Sequence, residues 1–265
     1  MKQSHWMKTM GRVAFLNCDP LFYNLDVDWN ILSAPPSWLT GHLLRKDCIL
    51  APIPAADYAQ NSDDLVLLPD IGICSRGEVG SVLVFGKKPL SEMSSIALPT
   101  DSATSVQLLK YLLEKRKLTP SFVSMGPDLK GMLETCEGAL LIGDRALEGA
   151  KNHPEMVQLD LGQDWLQFTQ KPMVFGVFAT RKDTPIEMVR EAHAELVQNL
   201  QRFEEIPEQR EKVIQWALSR SHLNHERLDR YFGEVFNRID DIHLAGLNEF
   251  LVKACKLESG AQFAW

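Results

Sequence analysis

The chain has 265 residues and only five cysteines, Cys18, Cys48, Cys74, Cys136 and Cys255, scattered and never two residues apart as Cys-x-x-Cys. This excludes a disulfide framework or a zinc knuckle as the organising feature. Reduced, mostly buried thiols in a reducing compartment are expected instead. Positive charge is also in short supply: 28 Lys and Arg stand against 35 Asp and Glu, a formal charge of -7. Such a balance disfavours nucleic acid and anionic membrane as main partners, while still allowing a local positive pocket. Long apolar runs are missing too. Residues 3 to 12 contain neither the apolar core of a signal peptide nor a membrane span, so the expected location is the cytoplasm. Met7 or Met10 is an alternative start, because regular patterning begins only at Arg12.

Familiar catalytic fingerprints are absent as well. There is no G-x-G-x-x-G, no Walker loop, no H-E-x-x-H and no G-x-S-x-G. The seven histidines have no ligand spacing; His222 and His225 straddle an expected helix start and read as surface or cap residues. Neither a metal nor an organic cofactor is expected.

What is present is a 45% apolar chain, enough to bury a sizeable core in one domain or two small lobes. The stretch from Pro69 to Phe85 stands out. Its second half, Val82-Leu83-Val84-Phe85, is an apolar run suited to a covered strand. Its first half sets Gly72, Gly77 and Gly80 among Ser75, Arg76 and Ser81. Backbone amides and hydroxyls in such a turn can converge on an anion. The stretch is therefore either a cavity wall for a small carboxylate or phosphate, or a turn into a core strand, or both.

Other candidates stand where strands hand over to turns and helices. Residues Arg12 to Leu16 read as a first strand, and Asn17-Cys18-Asp19-Pro20 ends it. At a strand end of an open α/β sheet, Asn17 either caps a turn or offers its amide to a carboxylate or hydroxyl. Asp19 is a lone carboxylate with no evident partner. Ser94 to Pro99 is a further strand, and Ser102, Thr104 and Ser105 follow at the start of a helix striped by Val106, Leu109, Leu112 and Leu113. One of these hydroxyls suffices as an N-cap. The others either wall an anion pocket or face solvent. Asp144 ends the buried run Gly138 to Gly143 and reads first as an N-cap, second as a ligand group. Thr169 precedes Pro172 and a continuous apolar strand from Met173 to Ala179.

From Asp183 onward the pattern is helical: a helix begins near Thr184-Pro185, with Ile186, Val189, His193, Leu196, Val197 and Leu200 facing inward. Three more segments follow near 208–219, 225–236 and 244–255. They are expected to cover the sheet or a partner subunit. These elements predict two α/β lobes, residues 90–175 inserted between 1–89 and 176–265, with a ligand cleft between them.

Six stretches in register carry a family resemblance: Arg12-Val13-x-x-Leu16-Asn17-x-x-Pro20-Leu21, Ile73-x-Ser75-x-Gly77-x-Val79-x-Ser81-Val82, Ser102-x-Thr104-Ser105, Leu140-Leu141-Ile142-Gly143-Asp144-x-Ala146-Leu147, Asp160-Leu161-Gly162-x-x-Trp165 and Pro172-x-Val174-Phe175. Together they resemble the chorismate dehydratase family of the futalosine route to menaquinone. The resemblance implies a two-lobed, periplasmic-binding-protein-like (type II) fold with mixed sheets, working as a cytoplasmic enzyme, monomer or homodimer, without cofactor. It implies loss of water from chorismate to give 3-[(1-carboxyvinyl)oxy]benzoate, the substrate's own enolpyruvyl carboxylate removing the ring proton. Asn17 and Ser81 would act as the catalytic pair, with Ser75, Gly77, Ser102, Thr104, Ser105, Asp144 and Thr169 around the substrate. The chain departs from the family pattern at Ala103, usually arginine, at Glu78, usually proline, and at Gln170-Lys171, usually Gly-Leu. Arg76, Arg145 and Lys171 are the candidates to replace the missing guanidinium. The alternative function is a non-catalytic cytoplasmic binding protein or sensor for a small aromatic or dicarboxylic acid.

Overall fold

The computed structural model describes residues 5–25 and 28–265. Strands β1 (Thr9–Val13) and β2 (Asn30–Ala34) pair in parallel. The Gly11 amide donates to the Leu50 carbonyl at 2.8 Å, which sets this pair beside β3 (Ala51–Pro54). Only a glycine permits that approach, because a Cβ on Gly11 would lie 2.5 Å from the Ala51 Cβ. The first sheet then runs β3, β10 (Met173–Arg181), β4 (Leu65–Ser75) and β11 (Phe236–Arg238), antiparallel throughout. Strand β1 starts and stops three residues earlier than its apolar pattern suggests. Phe15 stays extended, and Leu16–Cys18 coil into a 3-10 turn before the short helix α1 (Asp19–Phe22).

The second sheet orders β7 (Ser121–Met125), β6 (Ser95–Pro99), β8 (Gly138–Ile142), β5 (Val82–Gly86) and β9 (Val157–Asp160). Strand β5 is buried along its whole length: Val82 and Val84 join the main core, while Leu83 and Phe85 face a second cluster with Met132 and Leu141. Burial on both faces explains its unbroken apolar run. The sheets also correct the expected crossing points. The chain passes between sheets at 76–81 and returns at 170–172, so residues 82–89 go with the second sheet. The polar Lys87-Lys88-Pro89 is merely the loop from β5 towards β6.

Helices α2 (Pro36–Leu44) and α3 (Ala55–Gln60) flank the first sheet; α4 (Ala103–Lys115), α5 (Leu129–Thr135), α6 (Gly143–Asn152) and α7 (Leu161–Thr169) accompany the second. The C-terminal part supplies α8 (Ile186–Glu205), α9 (Pro207–Leu218), α10 (His225–Glu234) and α11 (Asp241–Lys253). These pack on the chain itself: α8 on α1 and β4, α9 on α8 and α10, α11 on β10. Val189, His193, Leu196 and Leu200 are buried as their spacing predicts, whereas Ile186 in the first turn is exposed. Among the described residues, no helix is long and apolar enough to cross a membrane.

Candidate active site

The glycine-bearing turn between the sheets does gather backbone amides around a carboxylate, but the carboxylate is the chain's own. Asp160, N-cap of α7, accepts from the amides of Gly162 (2.9 Å) and Gln163 (3.0 Å). Across the turn it accepts from Val79 (3.1 Å) and Gly80 (2.9 Å). The expected anion cradle is therefore already filled, as a clamp between the crossing segment and α7. Asp160→Ala removes a cap and strands four amides. The expected cost is about 3 kcal/mol, a fall of roughly 6–12 °C in melting temperature for a chain of this size. Thermal unfolding checks it, and an unchanged melting temperature contradicts it.

Residues beside the clamp share its structural work. Ser75 is fully buried, and its hydroxyl donates to the Gly77 carbonyl at 3.1 Å. Gly77 has φ of +113°, a backbone that admits glycine readily. Thr169 turns its hydroxyl to the Trp165 carbonyl at 2.8 Å. None of these three lines the cavity described next, contrary to the expectation that they surround a ligand.

That cavity lies at the seam of the two sheets and measures about 50 Å³. The first lobe contributes Val13, Phe15, Asn17, Ile53 and Phe175; the other side contributes Ser81, Ser102, Thr104, Ser105 and Gly143. Five of the nine expected site residues thus come together although far apart in sequence. Asn17 is 8% exposed, and its side-chain Oδ1 is buried without a hydrogen-bond partner. Buried polar atoms are rarely left so. The Ser81 hydroxyl donates to the Val79 carbonyl (3.3 Å) and accepts from the Tyr231 hydroxyl (3.2 Å). Burial pushes the Tyr231 phenol well up, which keeps it a donor. Thr104 spends its hydroxyl accepting from the Ala56 amide at 3.1 Å. Ser102 sits at the N-cap position of α4 without bonding the helix's amides. Those amides and the helix dipole favour an anion there. Between these polar groups the walls are aliphatic and aromatic, as suits a carbon ring with polar substituents.

Among the described residues lining the cavity, none has an ionisable side chain. The candidate replacement cations are engaged or outside: Lys171 pairs with Glu249, Arg145 with Asp101 at 2.6 Å, and Arg76 is exposed. A wider groove of about 660 Å³, lined by Lys87, Lys130, Leu133 and His153, lies along the second lobe and contains none of the hydroxyl set. No group of three or more His, Cys, Asp or Glu among the described residues is arranged to hold a metal ion.

Charges cluster one layer behind Asn17. Asp19, which sequence reasoning left alone, is fully buried between Arg12 (2.5 Å) and Arg220. Arg12 and Arg220 in turn lie over the Trp216 ring, at 4.8 and 3.9 Å from its centroid. Burial pushes the Asp19 carboxyl up to about 7, the two guanidinium groups pulling against it. Asp144 also sits in this layer and does not line the cavity. Its Oδ1 accepts the Leu16 amide at 3.1 Å, and burial pushes its carboxyl up to about 6. Arg12 was within reach of sequence reasoning, seven residues before Asp19; Arg220, 201 residues beyond it, gave no signal.

Two α/β lobes, with a continuous crossing and return and a cavity at their seam, define the periplasmic-binding-protein class of fold. Solved structures agree. Protein AF1704 from Archaeoglobus fulgidus superposes with a TM-score of 0.75 at 20% identity, covering 95% of this chain and 96% of that one. The Candida albicans CA3427 product, described as having the generic periplasmic binding protein fold, gives 0.66 at 12% identity over 94% and 90%. The aliphatic sulphonate binding protein SsuA from Escherichia coli gives 0.63 at 12% over 94% and 90%. At the sequence level, a menaquinone-biosynthesis family matches residues 8–256. A chorismate dehydratase from Thermus thermophilus is 33% identical over 220 residues, 75% of this chain and 80% of that protein. The chain belongs to the menaquinone-biosynthesis family.

Proposed function

We propose that this chain is a chorismate dehydratase, a hydro-lyase of menaquinone biosynthesis that converts chorismate to 3-[(1-carboxyvinyl)oxy]benzoate in the cytoplasm. One observation carries the reading of the site. The cavity combines an unpartnered amide, several hydroxyls and a helix N-terminus, yet no lining side chain can serve as a strong base. Such a set holds a dianionic substrate and leaves proton removal to the substrate itself.

The substrate's enolpyruvyl carboxylate takes the proton from the ring carbon that bears the ether. The C–H electrons become a ring double bond as the C–O bond of the hydroxyl on the adjacent ring carbon breaks. The departing hydroxide takes the proton from the carboxylic acid just formed, so water leaves, the carboxylate is restored and the ring becomes aromatic. Asn17 and Ser81 orient the carboxylate and the leaving hydroxyl. Ser102, Ser105 and the first amides of α4 hold the second carboxylate. Fixing the reacting groups in one geometry supplies several kcal/mol through proximity alone. The cavity of about 50 Å³ is smaller than ordinary small-molecule sites of about 300–1,000 Å³. The lobes must therefore part to admit substrate and close around it for the reaction.

Turnover tests the proposal. Conversion replaces the ultraviolet spectrum of chorismate with that of a benzoate. A binding protein or sensor would leave the spectrum intact while the ligand raised the melting temperature.

A further inference from the structure

The turn bearing Asn17 is held from both lobes, and the second lobe's hold runs through Asp144. We propose that Asp144 is a positioning residue: by accepting the Leu16 amide across the seam, it sets the Asn17 side chain for the reaction. This rests on reading the cavity as the chorismate site. Asp144 stands in the first turn of α6, directly after β8 of the second sheet, whereas Leu16 opens the 3-10 turn after β1. Their hydrogen bond therefore joins the lobes.

Two neighbouring contacts make the joint directional. The Gly143 amide donates to the Ser81 carbonyl at 2.7 Å, tying the start of α6 to the crossing segment. Gly143 itself leaves room for the Phe15 ring, since a Cβ there would stand 2.6 Å from Phe15 Cδ2. Phe15 and Leu16, the two residues before Asn17, are thus seated on the second lobe. Asp19, two residues after it, is fixed by Arg12 and Arg220 of the first. Asn17 lies in the middle of a segment whose later end is held within the first lobe and whose earlier end is held by a contact between the lobes. Asp144 lines a separate cavity of about 250 Å³ with Leu16, Glu148, Lys151 and Arg220, so its carboxylate is not part of the substrate site. An interaction completed only on closure lowers the barrier more than it tightens initial binding.

The test compares Asp144→Ala, which removes the acceptor, with Asp144→Asn, which keeps one. In the full chain, Asp144→Ala is expected to lower kcat about tenfold or more with KM for chorismate changed less than about twofold. Asp144→Asn is expected to hold kcat within about threefold of the parent. The Leu16 amide should exchange with deuterium about tenfold faster in Asp144→Ala and at the parental rate in Asp144→Asn. A raised KM with unchanged kcat would overturn the inference by making Asp144 a binding group. So would an Asn variant as impaired as the Ala variant, or Leu16 exchange indifferent to both. If the parent itself leaves chorismate unchanged, the proposed function fails, and the Leu16 exchange rates still decide whether Asp144 holds the turn.

Discussion

Asn17→Ala is expected to lower chorismate turnover at least about tenfold, and up to the hundredfold range seen when one preorganised polar group is removed from a developing charge. Its melting temperature should stay close to the parent's. The two expectations follow from one observation. The Asn17 Oδ1 has no partner within the protein, so truncation forfeits no internal hydrogen bond at that atom and exposes no new buried group. Steady-state kinetics beside a thermal melt separates the effects. Parental turnover would remove Asn17 from the reaction, and a large fall in melting temperature would make it a structural residue.

Gly143→Ala is expected to be comparably severe for a different reason. Gly143 has φ of +59°, where an L-residue with a Cβ costs about 1–2 kcal/mol. The added methyl would also meet three atoms of the Phe15 ring at 2.6 to 2.9 Å. Backbone on one lobe and ring on the other cannot both keep their places, so the methyl acts as a wedge in the seam. Turnover should fall more than about tenfold, with stability lower by about 2 kcal/mol. Pairing it with Phe15→Leu, which removes ring atoms from the contact, should restore part of the stability. A Gly143→Ala protein with parental activity and stability would show that the lobes meet differently.

Much of this architecture can be read from residue patterns, for identifiable reasons. The helices after Asp183 announce themselves because one face is apolar at helical spacing and the other solvated, as Val189, His193 and Leu196 show. The hydroxyl set of Ser102, Thr104 and Ser105 is readable because a helix start has local chemical requirements. Strand β4 is not, since Pro69, Asp70 with φ of +65° and Gly72 interrupt what is nonetheless one strand of eleven residues. Its continuity comes from pairing with β10, a partner a hundred residues away. The glycine turn was correctly legible as a place where amides converge, and its occupant was not. Asp160 is 80 residues from Gly80, and no local pattern connects them. The same distance problem hides the Asp19–Arg220 pair and the contact of Asp144 with Leu16; Asp144, read first as an N-cap and second as a ligand group, does not cap α6, whose N-cap position is Ile142. Sequence chemistry identifies the groups; only the fold decides which of them face one another.

The most direct test of the central claim is product analysis after incubating metal-stripped protein with chorismate. The account predicts a product lighter by one water, with the carboxyvinyl ether retained and an aromatic absorbance, formed without added cofactor. Unchanged chorismate in the presence of demonstrably folded protein would contradict it.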